Sequence, residues 1–116
     1  MGLSELLGTK FRCACGRSHD LAVRRFVYEA AAIDRLPGVV RQCLGRSMRA
    51  VVVADSRTWE VCGRRALAAL KRTYEDAREV IIADGEHGTP ICDDATFQTL
   101  LARLREAKPE VTVAVG

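Results

Sequence analysis

The chain lacks the long apolar run that a membrane span needs. No apolar run in its 116 residues is longer than the five residues at 50–54, whereas a membrane-spanning helix takes about 20. The opening residues do not show the charged, apolar and small-residue order of a secretory signal, and Leu6 stands where a myristoylation signal has a hydroxyl residue. We therefore expect no membrane partner. An odd count of five cysteines without such a signal predicts a cytoplasmic location.

The chain also lacks a tract of one charge. Its 18 Lys and Arg residues are mixed with 15 Asp and Glu residues, for a formal net charge of +3, so we expect no nucleic-acid partner. No internal repeat, low-complexity stretch or linker rich in Gly, Ser or Pro divides it, so residues 1–116 are expected to form one domain. A hydrophobic share of 48% with 28% charged residues is typical of a globular chain rather than a disordered one.

Short apolar runs alternate with helix-period segments after an irregular stretch at 1–20. These stretches, which are rich in apolar residues, predict strands at 23–28, 50–54, 80–83 and 111–115, and the helix-period segments lie at 30–44, 59–72 and 97–107. This alternation predicts an α/β fold with three layers and a Rossmann-like, mostly parallel sheet of about four strands. The unbroken run of valines at 51–53 indicates a central strand that is covered on both faces.

Proline and acidic residues mark the expected helix boundaries. Pro37, followed by Gly38, predicts a break or a kink, and the preferred interpretation is a short helical turn at 33–36 with a second helical piece that begins at Pro37. Asp93 or Asp94 can cap the helix at 97–107, and Pro109 follows its end.

Asp55 is the first candidate binding residue, because it ends the strand at 50–54 just before a helix. Ligands of open α/β sheets bind beyond the carboxyl ends of the strands, where an acidic residue can accept hydrogen bonds from the hydroxyls of an adenosine ribose. The alternative is that Asp55 caps the next helix together with Ser56 or Thr58.

Gly116 is the second candidate, since it follows the buried-strand pattern at 111–115. A glycine there suits a phosphate-binding turn, in which backbone amides approach a pyrophosphate and the following helix N-terminus adds its positive dipole end. A last strand that leads into a single glycine indicates a chain that is incomplete at its C-terminus.

Cys13, Cys15 and His19 place three soft metal ligands within seven residues, but a fourth ligand is lacking nearby. A structural zinc site takes four ligands, usually in two pairs. The set is therefore expected to hold no stoichiometric zinc and to form a tight turn, with Gly16 in a permissive conformation and the cysteines packed beneath it; metal binding and redox chemistry are the alternatives. The segment 84–88, with His87, is expected to be a solvated connection.

Three segments together resemble a known family. FRCACGRSH at 11–19, AIDRLP at 32–37 and VVVADSRTWEVCG at 51–63 are similar, in the same order, to the opening of bacterial sn-glycerol-1-phosphate dehydrogenases. These belong to the iron-containing alcohol dehydrogenase superfamily, which includes glycerol dehydrogenase. The resemblance covers nearly the whole chain, and the Cys-x-Cys-Gly-x-x-His opening combined with Ala-Asp-x-x-Thr after a valine strand makes it specific.

The resemblance implies an N-terminal dinucleotide-binding domain at 1–116, whose partner in the full protein is a helical C-terminal domain that is absent here. That domain would supply an aspartate and two histidines for zinc or nickel, and the whole enzyme, a possible homo-oligomer, would interconvert dihydroxyacetone phosphate and sn-glycerol 1-phosphate for phospholipid biosynthesis. Asp55, Arg57, Thr58 and Gly116 are the implied cofactor-binding residues, with no catalytic residue in the chain. An acidic Asp55 favours NAD, whereas Arg57 can accept the extra phosphate of NADP.

Alone, the chain is then expected to bind the cofactor in the millimolar range or more weakly and to show no turnover. The alternatives are a glycerol dehydrogenase-like or dehydroquinate synthase-like sibling, a non-catalytic remnant that binds a nucleotide or a partner chain, and a small zinc or thiol module.

Overall fold

A parallel sheet of three strands with helices on both faces organises most of the chain. The structure, a computed structural model, describes residues 2–46 and 49–116. Its elements are α1 Leu3–Leu6, β1 Lys10–Arg12, β2 Ser18–Asp20, α2 Ala32–Leu44, β3 Arg49–Asp55, α3 Ser56–Thr58, a π-helical segment Trp59–Gly63, α4 Arg64–Lys71, β4 Asp76–Ile82, α5 Asp94–Ala107 and β5 Val111–Ala114. None of the described helices is long and apolar enough to cross a membrane.

Strand β3 is the centre of the sheet, as its valine run predicts. The strand order is β4-β3-β5, and both pairings are parallel. All five residues at 50–54 are buried, and Val52 is 0% exposed. A strand with a partner on each side and a helix layer on each face leaves no position for a polar side chain, which explains the absence of alternation.

Alternate residues of β3 supply the two halves of the core. Ala50 and Val52 pack in one cluster with α2 and α4 residues, Leu70 among them. Val51 and Val53 pack in a second cluster with Val80 of β4, against which the α5 leucines lie. Because successive strand side chains point to opposite faces, α5 covers the face opposite α4. The predicted α/β class is confirmed, with helices on both faces of the sheet.

The predicted fourth parallel strand, at 23–28, is wrong. Residues 21–28 carry no regular secondary structure. Val23, Phe26 and Tyr28 are 54%, 72% and 92% exposed, so the segment has no buried face to favour pairing. The other two strands of the described chain, β1 and β2, instead form an antiparallel hairpin within the stretch at 1–20 that was expected to be irregular.

Helix α2 is continuous through Pro37, so the predicted division into two helical pieces is also wrong. Proline removes one hydrogen bond and crowds the preceding turn. Packing opposes this cost, since Ile33 and Leu36 before the proline and Val40 after it all contact the same core cluster. Burial on both sides of Pro37 therefore holds the helix together.

The structure has the other helices longer than the sequence pattern indicates. Helical backbone begins directly after Asp55, three residues before the predicted start at 59, and continues through the π-helical segment into α4. Helix α5 begins at Asp94, and Asp93 caps it by accepting a hydrogen bond from the Thr96 amide at 2.8 Å. Lys108 ends α5 in the left-handed conformation, with φ of 49°.

Candidate functional site

Asp55 ends β3, and Gly116 follows the end of the neighbouring parallel strand β5. Val53 is the partner of Ala114 in the parallel register, and the Val115 amide continues the ladder by donating to the Val53 carbonyl at 2.9 Å. Extending this register by two residues places Gly116 beside Asp55. On the other side of β3, Asp55 is paired with Ile82, the last residue of β4.

The Asp55 carboxylate caps the helix that follows it, which confirms the capping interpretation. Its Oδ1 accepts from the amides of Arg57 and Thr58 at 2.8 and 2.9 Å, and the Asp55 amide donates to the Thr58 hydroxyl at 3.0 Å. The Thr58 amide is the main cause that lowers the pKa of Asp55, so the carboxylate is ionised at neutral pH. Thr58, expected to bind a cofactor, thus has its amide and hydroxyl engaged in the cap.

The second carboxylate oxygen of Asp55 is less engaged. Oδ2 lies 3.8 Å from Arg57 Nη2, a long ion pair, and the Asp55 side chain is 21% exposed. The cap therefore fixes the carboxylate through one oxygen and leaves the other for a further donor.

Arg57 is held by Asp84, a partner that the sequence interpretation missed. Arg57 Nη2 donates to Asp84 Oδ1 at 2.8 Å, and Nη1 donates to the Gly88 carbonyl at 2.9 Å. The hydrogen bond to Asp84 is the main cause that raises the pKa of Arg57. This bridge ties the start of α3 to the connection between β4 and α5. Its signal in the sequence was an aspartate shortly after each of two neighbouring parallel strands.

The connection at 84–88 is otherwise the solvated turn that was expected. The Gly85 amide donates to the Thr89 carbonyl at 2.8 Å, and Gly88 has a positive φ of 73°. His87 is exposed, and in the described part of the chain it is not clustered with two other potential metal ligands.

Two clefts flank the carboxyl edge. One, of about 280 Å³, lies between β4 and α5 and is lined by Asp84, Thr96 and Arg103 among others. The other, of about 420 Å³, follows β5 on the α2 side and reaches Gly116. Asp55 is among the lining residues of neither cleft.

The hairpin of β1 and β2 brings Cys13, Cys15 and His19 together. Cys15 Sγ lies 3.3 Å from His19 Nε2, and the ligand atoms of all three residues lie within 4.8 Å of one another. Gly16 has a φ of 85°, which confirms the tight turn. The cysteines do not pack beneath it, however, because Cys15 is exposed and Cys13 is half-buried. A hydrogen bond from the Cys15 amide is the main cause that lowers the pKa of the Cys13 thiol.

Comparisons of the chain with protein-family models, with curated proteins and with solved structures find no match. The resemblance stated above therefore remains a prediction based on the sequence segments themselves.

Proposed function

We propose that the chain is the nucleotide-binding part of an NAD-dependent polyol-phosphate dehydrogenase of the sn-glycerol-1-phosphate dehydrogenase kind. The observation that carries the proposal is that Asp55 and Gly116 come at the carboxyl ends of two neighbouring parallel strands, β3 and β5. In dinucleotide-binding folds, glycine at such an edge lets backbone amides approach the pyrophosphate, and a carboxylate accepts hydrogen bonds from the ribose.

The topology supports a ligand at this place. Strands β4 and β5 lie on opposite sides of β3, and α4 and α5 contact opposite faces of the sheet. Where the connections of an open α/β sheet leave in opposite directions, the loops separate and a crevice opens beyond the carboxyl ends. In this proposal the ligand binds beyond the carboxyl ends of β3 and β5, the strands that Asp55 ends and Gly116 follows, respectively.

Asp55 has two roles in this proposal, one for each oxygen. Oδ1 holds the first turn of the helix, and Oδ2 accepts a hydrogen bond from a ribose hydroxyl. Since Oδ1 already accepts from two amides, the ribose contact is a single charge-assisted bond rather than the paired contact that an uncommitted carboxylate makes. Cofactor affinity then depends strongly on the pyrophosphate contacts.

The state of Arg57 favours NAD over NADP. Accepting the additional ribose phosphate of NADP would require the Arg57 guanidinium to turn towards the ligand, but it is engaged by Asp84 and by the Gly88 carbonyl. Asp55 would also repel that phosphate. Asp84 is therefore proposed as the residue that withdraws Arg57 from the cofactor.

The described residues contribute binding and orientation rather than the chemical step. A bound divalent metal polarises the substrate carbonyl during hydride transfer in such enzymes. The family's metal set, an aspartate with two histidines, is not met here, because His19 lies in the hairpin and His87 in the connection after β4. No step through that metal is assigned to these residues.

An NMR titration tests the nucleotide proposal. The ¹⁵N-labelled chain is titrated with NAD, NADP and ADP-ribose, with millimolar or weaker affinity expected. The amides of Asp55 and Gly116 should shift with NAD and ADP-ribose, and less with NADP. Asp55→Asn keeps a side-chain oxygen for the cap but removes the charge, so it should weaken binding.

Asp93→Asn is the matched control, because Asp93 is also an N-cap residue whose carboxylate accepts from a helix amide. It should bind NAD as the parent does. Equal binding by Asp55→Asn and the parent, or shifts confined to other parts of the chain, would remove the ribose role. A chain extended through the implied C-terminal domain should oxidise NADH with dihydroxyacetone phosphate; inactivity of that protein would remove the dehydrogenase proposal.

A further inference from the structure

The hairpin of β1 and β2 presents three metal-ligand side chains from a small framework. Phe11 is paired with His19 across the two strands, and their rings are 5.6 Å apart. Because side chains two residues apart share a face of a strand, Cys13 continues the face of Phe11 and His19. Because side chains alternate between the two faces of the hairpin, Cys13 and His19 lie on the same face.

The loop geometry brings the third ligand to the same face. The Cys13 amide donates to the Arg17 carbonyl at 2.8 Å and the Gly16 amide to the Cys13 carbonyl at 3.0 Å. Three loop residues closed by this pair, with the last in a positive-φ conformation, form a common hairpin connection. The loop places Cys15 Sγ against His19 Nε2, at 3.3 Å.

These distances are close to those of a zinc coordination sphere. With Zn–S bonds of about 2.3 Å and Zn–N bonds of about 2.05 Å, a tetrahedral ion holds a sulfur and a nitrogen roughly 3.6 Å apart and two sulfurs roughly 3.8 Å apart. The three ligand atoms already lie within 4.8 Å of one another. Coordination therefore requires displacements of no more than about 1 Å, within the reach of side-chain rotation.

We propose that Cys13, Cys15 and His19 bind one Zn²⁺ ion, with water as the fourth ligand. Two thiolates and an imidazole form a donor set suited to zinc, and zinc with three protein ligands accepts water in the open position. The expectation that the set holds no stoichiometric zinc depended on the missing fourth protein ligand. The exposure of Cys15 and His19 lets water take that place. On binding, the two thiols release two protons to the solvent, and no electrons are transferred.

The zinc ion would stabilise the hairpin of β1 and β2. Strands β1 and β2 have three residues each, and an isolated two-stranded hairpin is marginally stable in water. Metal binding to folded ligands adds to the stability of the structure that holds them. Zinc should therefore slow amide hydrogen exchange in the hairpin and leave the exchange of β3 unchanged.

The test is a zinc titration of the reduced chain in competition with a chromophoric chelator, together with Co²⁺ substitution. We expect one ion per chain and a thiolate-to-cobalt charge-transfer band. Cys15→Ser and His19→Gln should each weaken binding at least 100-fold, more than the roughly 10–100-fold loss typical of a residue that only orients a ligand.

The chain offers a matched control for each variant. His87 is its only other histidine, and Cys92 is an exposed cysteine elsewhere; His87→Gln and Cys92→Ser should bind zinc as the parent does. Far-UV circular dichroism verifies folding, which depends on the separate parallel sheet. Absence of stoichiometric binding, parent-like affinity of His19→Gln, or loss of affinity in a control would overturn the proposal.

Discussion

Gly63 and Gly38 are both helical glycines, and the structure predicts opposite effects when each is replaced by alanine. Alanine is favoured over glycine within a helix by about 0.5–1 kcal/mol. At Gly38, in α2, a new Cβ would meet no atom within 4 Å other than those of its chain neighbours and of the adjacent helix backbone. Gly38→Ala should therefore raise the free energy of unfolding by about 0.5–1 kcal/mol, the full helix preference of alanine over glycine.

A Cβ at Gly63 would instead clash with the Trp59 ring. A Cβ there would lie 2.6 Å from Trp59 Cε3 and 3.3 Å from Trp59 Cδ2, whereas carbon atoms in contact are about 3.5–4.0 Å apart. The indole, which packs against the core cluster, must therefore shift by about 1 Å. Overpacking of this kind costs about 1–3 kcal/mol, which exceeds the gain from the helix preference of alanine over glycine. Gly63→Ala should therefore destabilise the chain by about 1–2 kcal/mol.

Urea unfolding followed by far-UV circular dichroism measures both variants. Their difference, about 2 kcal/mol, corresponds to roughly 8 °C in Tm at about 4 °C per kcal/mol. Trp59→Ala removes the clashing ring, so in that background Gly63→Ala should become neutral or stabilising. If Gly63→Ala stabilises the chain that retains Trp59, the close packing of helix and indole described above is wrong.

Three further changes test other parts of the fold. Leu70→Ala, at a side chain that is 0% exposed, should lower the free energy of unfolding by about 2–5 kcal/mol; a loss below 1 kcal/mol would contradict its place in the core. Lys108→Gly should raise it by about 0.5–1 kcal/mol, because Lys108 has a φ of 49° and glycine adopts that conformation without strain; lower stability would contradict this. The Thr96 amide lowers the pKa of Asp93 below its ordinary value of 3.8, so the contribution of this carboxylate is complete above that pH and is lost as the pH falls through the lower, folded-state pKa. The stability difference between the parent and Asp93→Asn should therefore be constant near neutral pH and shrink below pH 3.8; a difference that grows in acid would show the opposite linkage.

The elements that the sequence predicted well are those whose burial determines the arrangement of apolar residues along the sequence. The valine run at 51–53 has no polar residue because both faces of β3 are covered. The leucines of α5 repeat with the helical period, and Asp93 marks its start. The segment at 23–28 has two arginines among its apolar residues, and Val23, Phe26 and Tyr28 are largely exposed. Its apolar residues therefore belong to no strand, although their number and spacing fit one.

The candidate site needed information that local patterns do not carry. Arg57 and Asp84 are 27 residues apart in the chain, and they meet only because β3 and β4 are neighbours in register. The Cys13, Cys15 and His19 set was visible as a spacing, but the loop that turns Cys15 towards His19 depends on backbone angles. Strands β1 and β2 are too short and exposed to show alternation.

The central position of β3 also has a consequence for the order of folding. Its partner β5 comes last, and Arg49 and Glu110, which bond across the start of the two strands, are 61 residues apart. During synthesis, β3 and β4 can pair with α4 between them, but one edge of β3 stays open until residues 111–114 have emerged. An apolar strand with an open edge is prone to pair with other chains. The nascent protein is thus most exposed to aggregation in the interval between the synthesis of β4 and that of β5.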